Sequence, residues 1–247
     1  MKAAVVIPAR YASTRLPGKP LLKIGSKTLI QMVYENASAA QLADNVIVAT
    51  DDERIVKAVA SFGGTARMTR PDHACGTDRI AEVVRNDLPD VDLVVNVQGD
   101  EPDIRGTHID AVVALLVEHP DADMSTLACR MSGEDAMNDP NQVKVVLDRA
   151  GRALYFSRAP VPFVRDAAER DGTFLGHLGI YGYRRKFLLK FTELEHTELE
   201  RKERLEQLRA LEHGYTIRVG ISDETVFGID TLEDLERFKV KRGMSDA

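Results

Sequence analysis

The sequence predicts an α/β fold built on a mainly parallel sheet, because two kinds of segment alternate along the chain. Short apolar runs rich in β-branched residues are separated by longer stretches in which apolar residues recur every three or four positions. Strands this apolar are typical of a sheet covered on both faces, and strand–helix alternation favours parallel neighbours. The strands predicted first are AAVVIPA (3–9), NVIVAT (45–50), DLVVNVQ (92–98), DMSTLAC (123–129) and QVKVVLD (142–148).

Helices are predicted in the segments between these strands, where apolar residues recur at the three- and four-residue spacing of a helix. Asp51 and Asp52 precede the second helix, Gly63 and Gly64 follow it, and Thr107 opens the fourth, in agreement with capping preferences. The four predicted helices cover residues 28–43, 52–62, 77–85 and 107–118.

Beyond residue 150 the pattern becomes irregular. Residues 159–172 hold two prolines and five charges without periodicity, which predicts a loop. The mixed charges of residues 193–209 predict a solvated helical face in which Glu200 and Arg204 form an i,i+4 pair. Because no repeat or linker divides the chain, we expect a single domain over residues 1–247 with an embellished second half. The remaining predicted elements are two strands, 174–183 and 216–222, and two helices, 199–214 and 231–241.

The composition excludes several classes of protein. The 33 basic and 39 acidic side chains give a net charge of −6, which disfavours charge-driven binding to nucleic acid. Two cysteines, Cys75 and Cys129, are too few for a disulfide framework or a four-ligand zinc site, and they favour a reducing compartment. The sequence contains neither an apolar stretch of about 18 residues nor a secretion signal. We therefore expect a cytoplasmic protein without nucleic-acid partners or membrane insertion.

A basic turn follows the first predicted strand. In PARYASTRLPGKP, residues 8–20, three cations (Arg10, Arg15 and Lys19) lie beyond the carboxyl end of that strand, where ligands bind in open α/β sheets. Backbone N–H groups and fixed positive charge here could cradle a polyphosphate, whereas a solvated basic loop is the alternative interpretation. The turn matches neither the GxxxxGKS/T loop nor the GxGxxG turn, which disfavours P-loop NTPases and dinucleotide-dependent oxidoreductases.

Carboxylates follow two other predicted strands. VVNVQGDEP, residues 94–102, brings Asp100 to a strand end, where oxygen ligands can hold Mg²⁺ beside substrate phosphates. A turn stabilised by Asp and Gly is the plainer interpretation. FGIDTLEDLE, residues 227–236, supplies Asp230, which the sequence alone allows either as a metal ligand or as a helix N-cap.

Nine segments, taken in order, carry a family resemblance over nearly the whole chain. They are IPARYASTRLPGKPL, ATDDERI, MTRPDHACGTDRI, VVNVQGDEP, VKVVLD, ALYFSRAPVP, HLGIYGYRRKF, LEQLRALEHG and IDTLEDLE. Together they resemble the 3-deoxy-manno-octulosonate (Kdo) cytidylyltransferases, the CMP-Kdo synthetases of bacterial lipopolysaccharide synthesis. The first turn alone would indicate only the wider nucleotidyltransferases, which include CMP-sialate synthetases, whereas HLGIYGY and LEQLR are typical of the Kdo branch.

This resemblance implies a fold and a reaction. The fold is a Rossmann-like three-layer nucleotidyltransferase fold with a mostly parallel mixed sheet. Residues 1–130 form its nucleotide-binding half, and residues 131–247 form the half for sugar binding and homodimer formation. The reaction is Mg²⁺-dependent and joins CTP to a Kdo-type sugar acid, giving CMP-sugar and diphosphate. In such a reaction the protein mainly positions the reactants and neutralises charge.

The resemblance also assigns roles to individual residues. The catalytic residues are Arg10, Lys19, Asp100 and Asp230, with Asp100 and Asp230 as shared ligands of Mg²⁺. The nucleotide contacts are Pro8, Ala9, Arg10, Lys19, Cys75, Gly76 and Thr77. The sugar contacts are Arg15, Gln98, Arg158, His177, Tyr181, Glu206 and Gln207.

Two positions depart from the family pattern. Cys75 stands where serine is commoner, so a hydroxyl donor is replaced by a weaker thiol donor. Leu232 stands where proline is usual at the entry to the last helix.

Three alternative functions stay open from the sequence. The sugar substrate could be 8-amino-Kdo or another sugar acid such as sialate, or the chain could be a nucleotide-binding module without catalysis. The presence of Arg10, Lys19, Asp100 and Asp230 together disfavours the non-catalytic module.

Overall fold

The computed structural model describes residues 1–12, 16–166, 168 and 171–243, in which a nine-stranded mixed sheet is flanked by helices. The strands are β1 (Ala3–Ala9), β2 (Lys23–Ile24), β3 (Lys27–Thr28), β4 (Asn45–Thr50), β5 (Ala66–Met68), β6 (Leu93–Val97), β7 (Met124–Ser132), β8 (Lys144–Leu147), β9 (Ala153–Ser157), β10 (Thr173–Arg184) and β11 (Ile217–Ser222). The helices are α1 (Leu29–Ser38), α2 (Glu53–Ser61), α3 (Gly76–Asp87), α4 (Gly106–Glu118), α5 (Glu134–Asn138), α6 (Arg185–Phe191), α7 (Glu198–Glu203), α8 (Gln207–Glu212) and α9 (Leu232–Lys241).

The main path of the sheet has the strand order β11-β7-β10-β6-β1-β4-β5. All of these strands run in one direction except β10, which is antiparallel to both of its neighbours, β6 and β7. A hairpin of β8 and β9 is attached to the far end of β10, and β2 and β3 form a separate small sheet. The predicted α/β fold with a mostly parallel mixed sheet is confirmed.

Helices cover both faces of the sheet and give the fold three layers. Alternate side chains of β1 point to opposite faces: Val5 and Ile7 belong to one apolar cluster, and Ala4 and Val6 belong to the other. The first cluster includes residues of α1, α2, α4 and α9, and the second includes residues of α3, α6 and α8. Two-sided burial is the reason that the strand sequences are apolar throughout rather than alternating.

Local sequence signals account for several element boundaries. The hydroxyl of Thr28 accepts a hydrogen bond from the Gln31 N–H at the start of α1, and the Asp52 carboxylate accepts one from the Arg54 N–H at the start of α2. The predicted strands at 3–9 and 45–50 coincide with β1 and β4. No helix among the described residues combines the length and apolar character needed to cross a bilayer.

The prediction of one helix over residues 199–214 is wrong. The chain forms α7 and α8 instead, with Arg204 between them in a left-handed conformation at φ 53°. The cause is a buried ion pair: Glu200 accepts hydrogen bonds from the Arg209 guanidinium at 2.6 and 2.9 Å, which a continuous helix would hold on different turns. The predicted Glu200–Arg204 pair and the solvated face around Glu200 are therefore also wrong, since the Glu200 residue is only 7% exposed.

Other elements gave too weak a pattern to be predicted. β5 has three residues, and the strands of the β2–β3 hairpin have two each, which is too short for a periodic signal. α6 follows β10 without an intervening breaker, so its apolar residues read as a continuation of the strand. β9 lies within the segment ALYFSRAPVP, which was recognised as a motif but not as a strand.

Candidate active site

The candidate site is a cleft of about 430 Å³ at the carboxyl ends of β1 and β6. These strands are parallel neighbours, so the turns that follow them lie side by side. The first turn of α3 also reaches the cleft, which directs the positive end of that helix dipole into it. The cleft is lined by Pro8, Ala9, Arg10, Ala12, Lys19, Pro20, Gly76, Gln98, Gly99, Asp100 and Asp230.

Gly99 allows the two turns to approach each other closely. A Cβ atom at this position would lie 2.9 Å from the carbonyl oxygen of Pro8, which is closer than normal van der Waals contact. The glycine is therefore needed where the turn after β6 crosses the end of β1. This contact brings Asp100 alongside the basic turn that begins at Arg10.

Asp100 and Asp230, 130 positions apart in the chain, meet at one ammonium group. Nζ of Lys19 lies 2.6 Å from Oδ2 of Asp100 and 3.0 Å from Oδ1 of Asp230. The backbone connects the same two segments, because the Ile229 N–H donates to the Asp100 carbonyl at 2.9 Å. Two carboxylates that converge on one cation offer the hard oxygen ligands that Mg²⁺ prefers, with room left for phosphate and water.

Thr231, rather than Asp230, caps α9. The Thr231 hydroxyl accepts a hydrogen bond from the Asp234 N–H at 3.1 Å, and the Asp234 carboxylate accepts one from the Thr231 N–H at 2.9 Å. This capping box starts the helix at Leu232 although proline is absent there. The Asp230 side chain is thereby directed to Lys19, and the sequence ambiguity between cap and cleft residue is resolved in favour of the cleft.

The position of Lys19 is fixed by the turn before it. Gly18 has φ 71°, a left-handed conformation that favours glycine, and its N–H donates to the Tyr11 carbonyl at 2.9 Å. The Tyr11 ring packs on Gly18 and in turn lies under the Arg54 guanidinium, 3.3 Å from ring centroid to carbon. Lys19 then begins a short 3₁₀ turn, so its backbone is anchored while its side chain extends into the cleft.

Arg79, a buried arginine that the sequence reasoning did not single out, supports the side of the cleft formed by the start of α3. The Arg79 side chain is fully buried and donates to Asp51 at 2.7 Å and to the Thr69 hydroxyl. This links the first turns of α3 to the ends of β4 and β5. Arg10 then donates to the His73 carbonyl at 2.5 Å. The segment between Thr69 and α3 is therefore held against the cleft. The sequence segments ATDDERI and GTDRI contain Asp51 and Arg79, so they were the signals from which this buried pair could have been predicted.

Cys75 and Thr77 lie against a residue predicted for the sugar. Thr77 Oγ1 donates to Oε2 of Glu206 at 2.5 Å. Burial, followed by the charge of Glu206, raises the pKa of the Cys75 thiol far above its ordinary value. The thiol therefore stays protonated and serves as a donor rather than as a nucleophile.

His177 and Tyr181 form a partly buried aromatic pair on β10, with ring centroids 5.3 Å apart. His177 Nε2 lies 2.9 Å from Thr126 Oγ1, whose single proton is donated to the Ile180 carbonyl at 2.6 Å. The imidazole must then donate from Nε2, which assigns its neutral tautomer. Burial lowers the pKa of His177 to about 3, and burial with the charges of Glu206 and Glu101 raises the pKa of Tyr181. Both side chains are neutral hydrogen-bonding groups at neutral pH.

The other predicted sugar residues differ in their surroundings. Gln98 lines the cleft and donates to the Asn96 side chain at 3.3 Å. Gln207 is buried, and its amide nitrogen has no hydrogen-bond partner in the structure. Arg158 donates to the carbonyls of Glu203 and Pro140 at 2.7 and 2.8 Å, so its guanidinium is already engaged by the backbone. Arg15 lies outside the described residues.

Glu101 is a further candidate functional residue, to which the sequence reasoning assigned no role. One of its carboxylate oxygens, Oε2, is buried without a partner, and the carboxylate approaches Gly228. Burial first, and then the charges of Asp100 and Asp230, raise the pKa of Glu101 to about 8. This side chain lines a second cavity of about 580 Å³, which shares Asp230 with the cleft.

Comparisons with known proteins identify the family of this chain. The cytidylyltransferase family model matches residues 4–218. A 3-deoxy-manno-octulosonate cytidylyltransferase from Syntrophobacter fumaroxidans is 54% identical over 96% of this chain and 95% of its own length. The chain belongs to the 3-deoxy-manno-octulosonate cytidylyltransferase family. A relative of the same description from Syntrophotalea carbinolica is 52% identical over 96% of this chain and 97% of its own length.

Solved structures support the same family and fold. CMP:2-keto-3-deoxy-manno-octonic acid synthetase, solved with CTP, is 42% identical with a TM-score of 0.92, covering 98% of this chain and 99% of its own. A cytidylyltransferase from Leptospira borgpetersenii shares only the fold at 19% identity, with a TM-score of 0.66 and coverage of 100% and 89%. The family resemblance inferred from the nine sequence segments is confirmed, as is the nucleotidyltransferase fold that it implied.

Proposed function

We propose that this cytidylyltransferase transfers the cytidylyl group of CTP to Kdo, forming CMP-Kdo and diphosphate for lipopolysaccharide synthesis. The observation that carries the proposal is the convergence of Asp100 and Asp230 with Lys19 in a cleft that also contains Arg10. The substrates come from the family, whose members are described as acting on 3-deoxy-manno-octulosonate, and from the similar synthetase solved with CTP. We also propose a cytoplasmic homodimer, with residues 131–247 contributing the interface.

The reaction exchanges one bond at the α-phosphorus for another. The anomeric hydroxyl oxygen of the sugar attacks the α-phosphorus, its proton passes to solvent, and the bond from the α-phosphorus to the bridging oxygen breaks as diphosphate leaves. Arg10 and Lys19 line the cleft and are the cations that would offset charge on the triphosphate and on the departing diphosphate. The protein therefore contributes mainly by alignment and charge neutralisation.

Asp100 and Asp230 are the residues that would hold Mg²⁺. Their carboxylate oxygens already converge on one ammonium group, which is a suitable donor set for a small hard cation. When bound, Mg²⁺ would neutralise phosphate charge and lower the pKa of the attacking hydroxyl. No separate strong base is needed from the protein under this scheme.

The sugar acid would be bound by hydrogen-bonding side chains beyond the basic turn, of which Gln98 lines the cleft and His177 lines the second cavity. Gln98 contributes an amide, His177 an imidazole held in one tautomer by Thr126, and Tyr181 a phenol. Glu206, next to Thr77, supplies an acceptor near the proposed nucleotide segment. A polyhydroxylated acid requires many directional partners, and this set meets that need without free charge at the imidazole or phenol.

The proposal is tested by diphosphate release from CTP with Mg²⁺ and Kdo, with 8-amino-Kdo, sialate and UTP as comparison substrates. We expect Kdo with CTP to be turned over fastest. Release only with 8-amino-Kdo or with sialate would change the assigned sugar. The absence of release with every sugar acid would support a nucleotide-binding module instead.

A single substitution tests the metal-binding role. Asp100→Asn keeps the size of the side chain but removes a charge, so we expect kcat to fall by roughly 100-fold or more. The matched control is Asp90→Asn at an exposed position away from the cleft, which should leave kcat unchanged. A near-normal rate for Asp100→Asn, with circular dichroism showing an intact fold, would remove Asp100 from the proposed metal site.

A further inference from the structure

Lys19 lies where two negative charges must be neutralised. Its ammonium is within hydrogen-bond distance of both Asp100 and Asp230, and its side chain is only 12% exposed. We propose that Lys19 is an internal counter-cation, which holds the two aspartates together in the unliganded enzyme and exchanges them for the triphosphate when metal and nucleotide bind. The inference rests on the proposed function for the identity of the anion, but not for the contacts of the lysine.

The two aspartates need a cation whether or not substrate is present. One oxygen of Asp100 lies 2.6 Å from Nζ of Lys19, and one oxygen of Asp230 lies 3.0 Å from the same nitrogen. These two oxygens are therefore close to each other, and the two carboxylates repel each other unless a positive charge lies between them. Asp100 and Asp230 belong to segments that are also joined through the Ile229 N–H and the Asp100 carbonyl. The fold therefore keeps the carboxylates close, and Lys19 compensates their charge.

The lysine can change partners without movement of its backbone. Gly18 and the Tyr11 carbonyl anchor the start of the 3₁₀ turn, while the side chain of Lys19 has four rotatable bonds. The ammonium lies in the same cleft as Arg10 and Gly76. A rotation of the side chain would carry the charge from the carboxylates toward a phosphate bound at the first turn of α3.

This exchange couples the two ligands. The ammonium hydrogen-bonds to the same carboxylates that a divalent ion would use, so a metal ion alone must displace Lys19 and leave its charge without a partner. A triphosphate supplies that partner, which makes metal binding more favourable when nucleotide is present. By linkage, metal must raise the affinity for nucleotide by the same factor. Lys19 thereby suppresses metal binding to the empty enzyme.

The test measures binding of Mn²⁺ alone, with free Mn²⁺ quantified by electron paramagnetic resonance and no nucleotide present. Lys19→Met removes the charge at similar length, and we expect it to bind Mn²⁺ about tenfold more tightly than the unmodified enzyme. Lys23→Met, at an exposed lysine on β2, is the matched control and should bind Mn²⁺ like the unmodified enzyme. The gain should disappear when Asp100→Asn is combined with Lys19→Met.

The outcomes separate this inference from the proposed function. Equal or weaker Mn²⁺ binding by Lys19→Met would overturn it, as would a gain that survives Asp100→Asn. If Lys19→Met does not fold, Lys19→Gln provides the same comparison and must also bind Mn²⁺ more tightly than the unmodified enzyme. Diphosphate release by the unmodified enzyme is measured separately. If Lys19→Met binds Mn²⁺ more tightly but the unmodified enzyme releases no diphosphate, the counter-cation role stands and the proposed reaction is refuted. If the unmodified enzyme releases diphosphate but Lys19→Met does not bind Mn²⁺ more tightly, the proposed reaction stands and the counter-cation role is refuted.

Discussion

The neutral imidazole of His177 should make the folded protein sensitive to acid. Burial lowers its pKa from an ordinary 6.5 to about 3, so below pH 6.5 the unfolded chain takes up a proton that the folded chain refuses. Folding stability is therefore lost as the pH falls from 6.5 toward 3, and His177 contributes no such loss above pH 6.5. Acid acts on the stability of a protein through many groups at once, so the contribution of His177 must be measured as a difference between variants.

The size of the effect follows from the shift. At pH 4.5, two pH units below the ordinary pKa, the loss from this ring is at most about 2.7 kcal/mol, because each unit corresponds to about 1.36 kcal/mol. This is an upper value because the ring of His177 is only partly buried. For a protein of this length, the same free energy corresponds to a fall in Tm of up to about 5–10 °C.

Urea unfolding at pH 7.5 and pH 4.5, without metal or nucleotide, measures the effect. His177→Gln retains a donor for Thr126 but cannot take up a proton. We expect the stability of this variant relative to the unmodified protein to improve by up to about 2.7 kcal/mol between the two pH values. His213→Gln, at an exposed ring, is the control and should show no such change. Parallel stability–pH curves for His177→Gln and the unmodified protein would refute the reasoning.

Two further predictions concern packing. Glu200→Gln should destabilise the protein by about 3–5 kcal/mol, because it leaves the buried Arg209 guanidinium without its carboxylate. The exposed pair of Glu198 with Lys202 offers a control, since Glu198→Gln should leave the unfolding free energy nearly unchanged in urea titrations. Equal effects of the two changes would contradict the importance of burial. Gly99→Ala should raise KM for CTP, because the added Cβ atom meets the Pro8 carbonyl at 2.9 Å and forces the two turns apart. An unchanged KM in steady-state kinetics would count against that close approach.

The sequence was sufficient for the fold where the physical cause is local or strongly periodic. β1 and β4 have the predicted bounds because continuous β-branched runs have few alternatives in an α/β pattern. The helix predicted at 199–214 failed because a contact between distant turns, Glu200 with Arg209, outweighs local helix propensity. Charge spacing along one helix cannot reveal such a contact.

The candidate site was only partly accessible from the sequence. Motifs identified Asp100 and Asp230, but the same letters permitted Asp230 to be a cap, and only the Thr231–Asp234 hydrogen bonds decide against that role. The tautomer of His177 depends on Thr126, a residue of β7 that has no motif around it. These features arise from tertiary proximity, which single-sequence patterns do not encode.

The antiparallel strand β10 has a mechanical consequence. Residues 180–184 of β10 pair with β6, and residues 173–178 and 181–183 pair with β7. The strands of the first half and the additions of the second half therefore belong to one continuous hydrogen-bonded sheet. Separating the two halves of the molecule by a hinge motion at β10 would break many backbone hydrogen bonds at once. Substrate entry and product departure must then rely on side-chain rotations and on the turns beside the cleft, because the sheet below them is rigid.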